Sequence, residues 1–204
     1  MRVKLIPYFP IVLLIFHVVG IMLFQFYQNA SELSWFNILV CGILIFLSEP
    51  NLKKAGDVLA VIFVLGFIIE LIGIKTGYLF GNYTYGNALG AIIFNVPIII
   101  GLNWFIIVVA SSNVLRTFKI PLIQLAFLSG LLATFLDALI EPVAIKFDFW
   151  KWENNYIPFL NYCCWFIFSS LFSYLYLSLT NGRNTTAFYL FFIWILFFLF
   201  LNFS

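Results

Sequence analysis

DVLAVIFVLGFIIELIGI, Asp57–Ile74, is followed after one lysine by TGYLFGNYTYGNALG, Thr76–Gly90. A bilayer core of about 30 Å takes about 20 apolar residues, so the first segment suits a membrane helix. It nevertheless holds an acid in its interior, Glu70. The second segment cannot be a span. Gly77, Gly81, Gly86 and Gly90 break it into turns, and its tyrosines and asparagines carry polar groups that hydrocarbon leaves unsatisfied. At membrane depth such backbone survives only where it is buried in protein or lines a cavity, so the segment reads as an ordered, re-entrant lid.

Similar apolar stretches recur on both sides of this pair. With 64% of its 204 residues hydrophobic and 9% charged, the chain is excluded from ordinary soluble globules. The pattern predicts helices over Pro7–Tyr27, Leu33–Ser48, Asp57–Ile74, Phe94–Leu115, Pro121–Ile140, Asn161–Thr180 and Thr186–Leu201. The second is short and the least secure as a span. The expected fold is an all-α polytopic transmembrane bundle of about seven spans, forming one integral membrane domain over residues 1–204. Met1-Arg2-Val3-Lys4 before an apolar run has the outline of a secretory signal, but no small-residue cleavage site follows Gly20, so the segment is expected to be retained.

Basic residues set the orientation, because cytoplasmic loops collect Lys and Arg. Arg2, Lys4, Lys53, Lys54, Arg116, Lys119 and Arg183 fall on one side, and Lys75, Lys146 and Lys151 on the other. The count places the N-terminus in the cytoplasm, within the cell (inner) membrane. It also puts both long connections, Lys75–Ile93 and Glu141–Leu160, on the same non-cytoplasmic face.

Acids inside spans are costly and tend to face a bundle interior. Asp137 and Glu141 are four residues apart, which places them on one helix face at roughly 5–6 Å, with Pro142 expected to end the helix directly afterwards. Two like charges so close in a low dielectric do not both ionise, and the retained proton makes a general acid. The structural alternative makes Glu141 a solvated helix end and pairs Asp137 with Asn103 or Lys75. Glu70 has no charge nearer than Lys75, five residues on and poorly matched in face. Glu49, Lys53, Lys54 and Asp57 read as the interfacial charges of a turn, and Glu32 as a loop residue.

Most of the aromatic residues belong against lipid or in interfacial belts. The second connection is denser than a belt requires, with Phe147, Phe149, Trp150, Trp152 and Tyr156 in ten residues. Cys41, Cys163 and Cys164 lack metal or disulfide spacing, and a lone histidine, His17, cannot build a multi-histidine iron site; it reads as bonding a neighbouring helix, with a proton relay as the alternative. A net charge of +2 without a basic, aromatic-interleaved patch gives no case for nucleic acid.

Taken together, the blocks Glu70–Tyr85 with Leu89-Gly90, Val96-Pro97 through Asn103-Trp104, Asp137–Ala144, and Trp150-Lys-Trp152-Glu with Tyr156-Ile-Pro158 and Asn161 resemble the CruF-type carotenoid 1,2-hydratases, the carotenoid biosynthesis protein family of bacteria and archaea. The resemblance covers roughly the middle half of the chain. It implies addition of water across the terminal C1–C2 double bond of an acyclic carotenoid end group, without a redox or organic cofactor and without a metal. The implied partners are a lipid-soluble carotenoid, membrane lipid and other carotenoid pathway enzymes.

The residues suit that chemistry. A carboxylic acid protonates the alkene, a tertiary cation forms, and water captures it. Asp137 or Glu70 would supply the proton, and its partner, with Glu141, would orient water. Tyr83, Tyr85, Asn103, Trp104, Trp150, Trp152, Tyr156 and Asn161 are the substrate-binding candidates, and Gly77, Gly81, Gly90, Pro97, Pro142 and Pro158 shape the loops. The rival readings are a proton-initiated carotenoid cyclase, which adds no water, and a small proton-coupled transporter with its acids as ion sites.

Overall fold

A computed structural model describes residues 5–27 and 29–204, the side chain of Asn154 excepted. Arg2 and Lys4, counted in the charge asymmetry, lie outside the described residues. Each predicted apolar stretch forms a helix: α1 Phe9–Phe26, α2 Ser34–Ser48, α3 Leu52–Thr76, α4 Ile99–Leu115, α5 Leu122–Lys146, α6 Phe159–Leu179 and α7 Thr185–Phe203. Short 3-10 turns at Ile6–Tyr8 and Ala30–Leu33 lead into α1 and α2. With them, six helical stretches among the described residues are long and apolar enough to cross a membrane, including Ala30–Ser48, the second segment. The chain is an all-α, multi-pass membrane protein.

The shorter α4 is the central post. At 17 residues it spans about 25 Å, and most of it is buried on every side by the other helices. Small residues let neighbours approach: a Cβ on Gly66 of α3 would fall 2.8 Å from the Trp104 ring, and one on Gly130 of α5 would fall 2.9 Å from the Phe166 carbonyl of α6. Large apolar side chains such as Ile123, Leu196 and Phe203 stay exposed on the outside, as a lipid-facing surface requires.

Three boundaries differ from the sequence reading. First, α3 starts at Leu52, not Asp57, because Asn51 caps it by accepting the Lys54 amide at 3.1 Å. Lys53, Lys54 and Asp57 therefore ride on its exposed opening turns. Second, α4 starts at Ile99, not Phe94. Phe94 and Asn95 both take positive φ, 52° and 69°, the signature of a two-residue type I′ turn joining β2 (Ile92–Ile93) to β3 (Val96–Pro97). Third, α5 does not stop at Pro142 but continues one turn to Lys146. Pro142 removes one amide donor, the one that would serve the Ala138 carbonyl, without ending the helix, and Asn202 of α7 donates to the neighbouring Leu139 carbonyl at 2.8 Å.

The two long connections meet. β1 (Tyr83–Tyr85) of the first pairs antiparallel with β4 (Trp150–Trp152) of the second, in the register Tyr83↔Trp152, Thr84↔Lys151, Tyr85↔Trp150. Alternation then fixes the chemistry of each face: four aromatic side chains point into the bundle, and Thr84 and Lys151 point out. Gly77, Gly81 and Gly90 all adopt positive φ. Gly77 ends α3 as a left-handed cap, its amide donating to the Gly73 carbonyl at 2.8 Å.

Gly86 has a different reason to be glycine, since a Cβ there would lie 2.0 Å from the Asp148 carbonyl oxygen. Gly86→Ala must part the two connections, and overpacking of this kind costs about 1–3 kcal/mol. A lowered melting temperature of the detergent-solubilised variant would register it.

One expected interfacial charge is misplaced by the sequence reading. Glu49 is buried, at 3% exposure, where it accepts from Tyr176 Oη at 2.8 Å and Asn184 Nδ2 at 2.7 Å. Asn184 in turn caps α7, and Asn113 joins Tyr176 to the Asn184 amide. Burial pushes the Glu49 carboxyl above its ordinary range, and the bonds from Asn184 and Tyr176 offset this only in part. A raised acid stabilises the fold fully below the ordinary glutamate range and loses that contribution as pH climbs through its folded value. Glu49→Gln keeps the Oε1 acceptor and removes the charge. Its melting temperature is expected to exceed that of the parent chain at alkaline pH and to converge with it in acid.

Candidate active site

Glu70 comes from α3 and sits directly beneath the paired strands, 4% exposed. One of its oxygens accepts the hydroxyls of Tyr83, in a very short bond, and Tyr85, at 2.9 Å; the other accepts Trp104 Nε1 of α4 at 3.0 Å. Burial and the Glu70 carboxyl lift both phenols well above their ordinary range, so they remain protonated donors. Trp104 is held in turn by stacking on Trp165 of α6, with centroids 4.0 Å apart and planes 13° from parallel.

Glu141 of α5 is bound in the same manner from the other strand. Its Oε2 accepts Trp150 Nε1 at 3.0 Å and Trp152 Nε1 at 2.8 Å, and its Oε1 accepts Asn161 Nδ2 at 3.0 Å. At 1% exposure it is not a solvated helix end. The one Asn161 amide also donates to Asp137 Oδ2 at 3.0 Å, which ties the two acids of α5 to α6. Asp137 thus pairs with Asn161 and not with Asn103 or Lys75. Its other oxygen, Oδ1, is buried with no partner among the described residues.

A small cavity lies between these groups, with about 20 Å³ of space for water-sized molecules, room for about one water. Glu70 and Glu141 both line it, as do Asn103 and Asn161; Asp137, joined to Glu141 through the Asn161 amide, does not. Tyr83, Tyr85, Trp104, Trp150 and Trp152 complete the wall. Tyr156, at 67% exposure, is away from it. Pro158 opens α6 and packs against Gly81, clamping the two connections, while Pro97 pairs with Ile92 in the hairpin and Pro142 faces outward from α5. Trp165 and Phe80 line the cavity without having been singled out in the sequence. Trp165 is one helical turn beyond Asn161, a spacing that puts both on one face of α6.

Comparison with known proteins fits this geometry to a family. A family model described as "Carotenoid biosynthesis protein" matches residues 12–203, from within α1 to the end of α7. The chain belongs to the carotenoid biosynthesis protein family. Bisanhydrobacterioruberin hydratase of Haloarcula japonica is 27% identical over 133 residues, 58% of this chain and 43% of that protein. The match thus spans less than half the length of that relative. No solved structure matches the chain. Its role lies in carotenoid biosynthesis, and in this member of the carotenoid biosynthesis protein family all three intramembrane acids fall inside the matched region.

Proposed function

We propose that this chain hydrates the terminal C1–C2 double bond of an acyclic carotenoid. The observation that carries the reading is one water-sized cavity bounded by two carboxyl groups, with a third joined to one of them through the Asn161 amide. Glu70 accepts three donors and is provided for as a carboxylate. Asp137 accepts one, beside Glu141, and an ionised, half-bonded carboxylate in hydrocarbon is the costliest state available. Glu141 also accepts three donors, so the one proton of the Asp137–Glu141 pair rests on Asp137 and reaches the alkene by way of Glu141, the member that faces the cavity.

In the reaction the alkene π electrons form a new C2–H bond with that proton, leaving a tertiary cation at C1. Faces of surrounding indoles and phenols attract such a cation by about 2 kcal/mol when desolvated. The cavity water then forms the C1–O bond and gives its extra proton to Glu70. Because Glu70 and Glu141 share the cavity, the next water returns that proton to the α5 pair. Atoms and charge balance, and no electrons are exchanged, so the step calls for no redox cofactor.

The charge asymmetry supports a cytoplasmic N-terminus in the inner membrane, with the acids toward the non-cytoplasmic side. Substrate then arrives laterally from lipid, where the other pathway enzymes release it. The test is expression in a bacterium that accumulates an acyclic carotenoid, followed by chromatography and mass spectrometry of the pigments. A new pigment heavier by one water is the expected result. Unchanged mass with an altered spectrum would replace the reading with cyclisation, and unchanged pigment would overturn both.

A further inference from the structure

A second cavity adjoins the first, and its wall draws on the first and last helices, where the sequence offered no motif. It lies between α1, α2, α4 and α7, has about 50 Å³ of space for water-sized molecules, and shares Ile100, Asn103 and Trp150 with the carboxylate cavity. Phe24, Ile38, Leu89, Trp194, Phe197 and Phe198 make up much of its wall, and among the described residues no charged side chain lines it. The wall is built rather than incidental. Trp194 Nε1 donates to His17 Nε2 at 2.9 Å, and His17 Nδ1 is 2.7 Å from the Leu13 carbonyl, so the histidine holds the indole in place. The same His17 ring meets Phe197 edge-on at 5.2 Å.

We infer that this apolar chamber is the seat of the methyl-branched isoprenoid end of the substrate, with the shared residues Ile100, Asn103 and Trp150 as the threshold across which its double bond meets Glu141. The inference rests on the hydratase reading and adds to it the division of labour between the two cavities: hydrocarbon in one, acid and water in the other. Asn103 faces both and makes no hydrogen bond among the described residues, so its amide is free for the hydroxyl formed at C1. Ser34, 9% exposed on the chamber wall with no partner for its Oγ among the described residues, is a second polar group there. The first and last helices thereby become substrate-binding elements.

Leu89→Phe and Ile38→Phe add atoms to the chamber without touching a hydrogen bond of Glu70 or Glu141. In purified, monodisperse protein they are expected to weaken retention of an acyclic carotenoid with an isopropylidene end, and raise its KM, roughly tenfold or more, the cost of overfilling a packed site. Turnover of bound substrate should stay within about threefold of the parent, which a merely structural disturbance of the acids would not allow. Affinity within about twofold of the parent in both variants overturns the inference. If neither variant folds, Phe24→Leu removes atoms from the same wall. An affinity unchanged by that enlargement overturns the inference, and a shift in either direction upholds it. Retention by the parent chain without any hydrated product would sink the hydratase reading and leave the chamber standing. Normal hydration by filled variants would do the reverse.

Discussion

Glu141→Gln is expected to lower the yield of hydrated carotenoid by roughly 10²- to 10⁴-fold, the usual contribution of a positioned general acid. The substitution is nearly isosteric. Its amide oxygen still accepts from either indole, so a loss of product at normal protein level would report chemistry and not collapse. Asp137→Asn should fall in the same range, because the α5 pair then has no second carboxyl with which to share a proton. The two variants divide the roles. If Glu141→Gln stays active while Asp137→Asn does not, the proton reaches the alkene directly from Asp137 and the cavity-facing assignment is wrong. If both remain fully active, the acid mechanism is wrong.

The second large effect concerns the amide that binds both acids. Asn161→Asp is isosteric, yet it turns a donor bonded to two carboxyl oxygens into a third carboxylate among them. Leaving buried charge uncompensated costs about 3–5 kcal/mol, a large part of the stability of a domain this size. The variant should therefore accumulate poorly and melt early in detergent. Exchanging the two groups, Asp137→Asn with Asn161→Asp, restores one donor opposite one acceptor. It should recover a substantial part of the lost melting temperature, a coupling that independent sites would not show. Additive losses in the double variant would mean that Asn161 acts on the fold by packing alone. Hydration should stay low in the exchanged chain, since the proton-sharing pair has moved from one helix to two.

Much of this arrangement is legible in the sequence because it is local. Apolar runs of span length locate α1 to α7, and the i,i+4 spacing puts Asp137 and Glu141 on one face whether or not the helix continues past them. What escapes is what depends on distant partners. Nothing near Pro142 announces that α5 runs through the proline, or that Asn202, sixty residues on, donates to the Leu139 carbonyl beside it. Glu49 reads as interfacial because Tyr176 and Asn184, which bury it, belong to other helices. The pairing of Tyr83 with Trp152 is likewise invisible, since a three-residue strand in each of two loops carries no register signal of its own. The Phe94-Asn95 turn fails for another reason: phenylalanine rarely takes positive φ, and its apolar surroundings suggest helix.

The pairing of β1 with β4 also has a consequence for biogenesis. The two strands are emitted far apart in time, with α4 and α5 synthesised between them, and Asn161 follows only at the start of α6. While the nascent chain is threaded into the bilayer, the tyrosines follow Glu70 within 15 residues and the indoles follow Glu141 within 11, whereas Asp137 waits for Asn161, 24 residues on. A ribosome stalled before α6 would leave the α5 acids in the membrane without the Asn161 amide that bonds both, a lesion that quality-control proteases are suited to detect. Completion of the acid cluster and completion of the buried hydrogen-bond network that satisfies it are, in this architecture, the same late event.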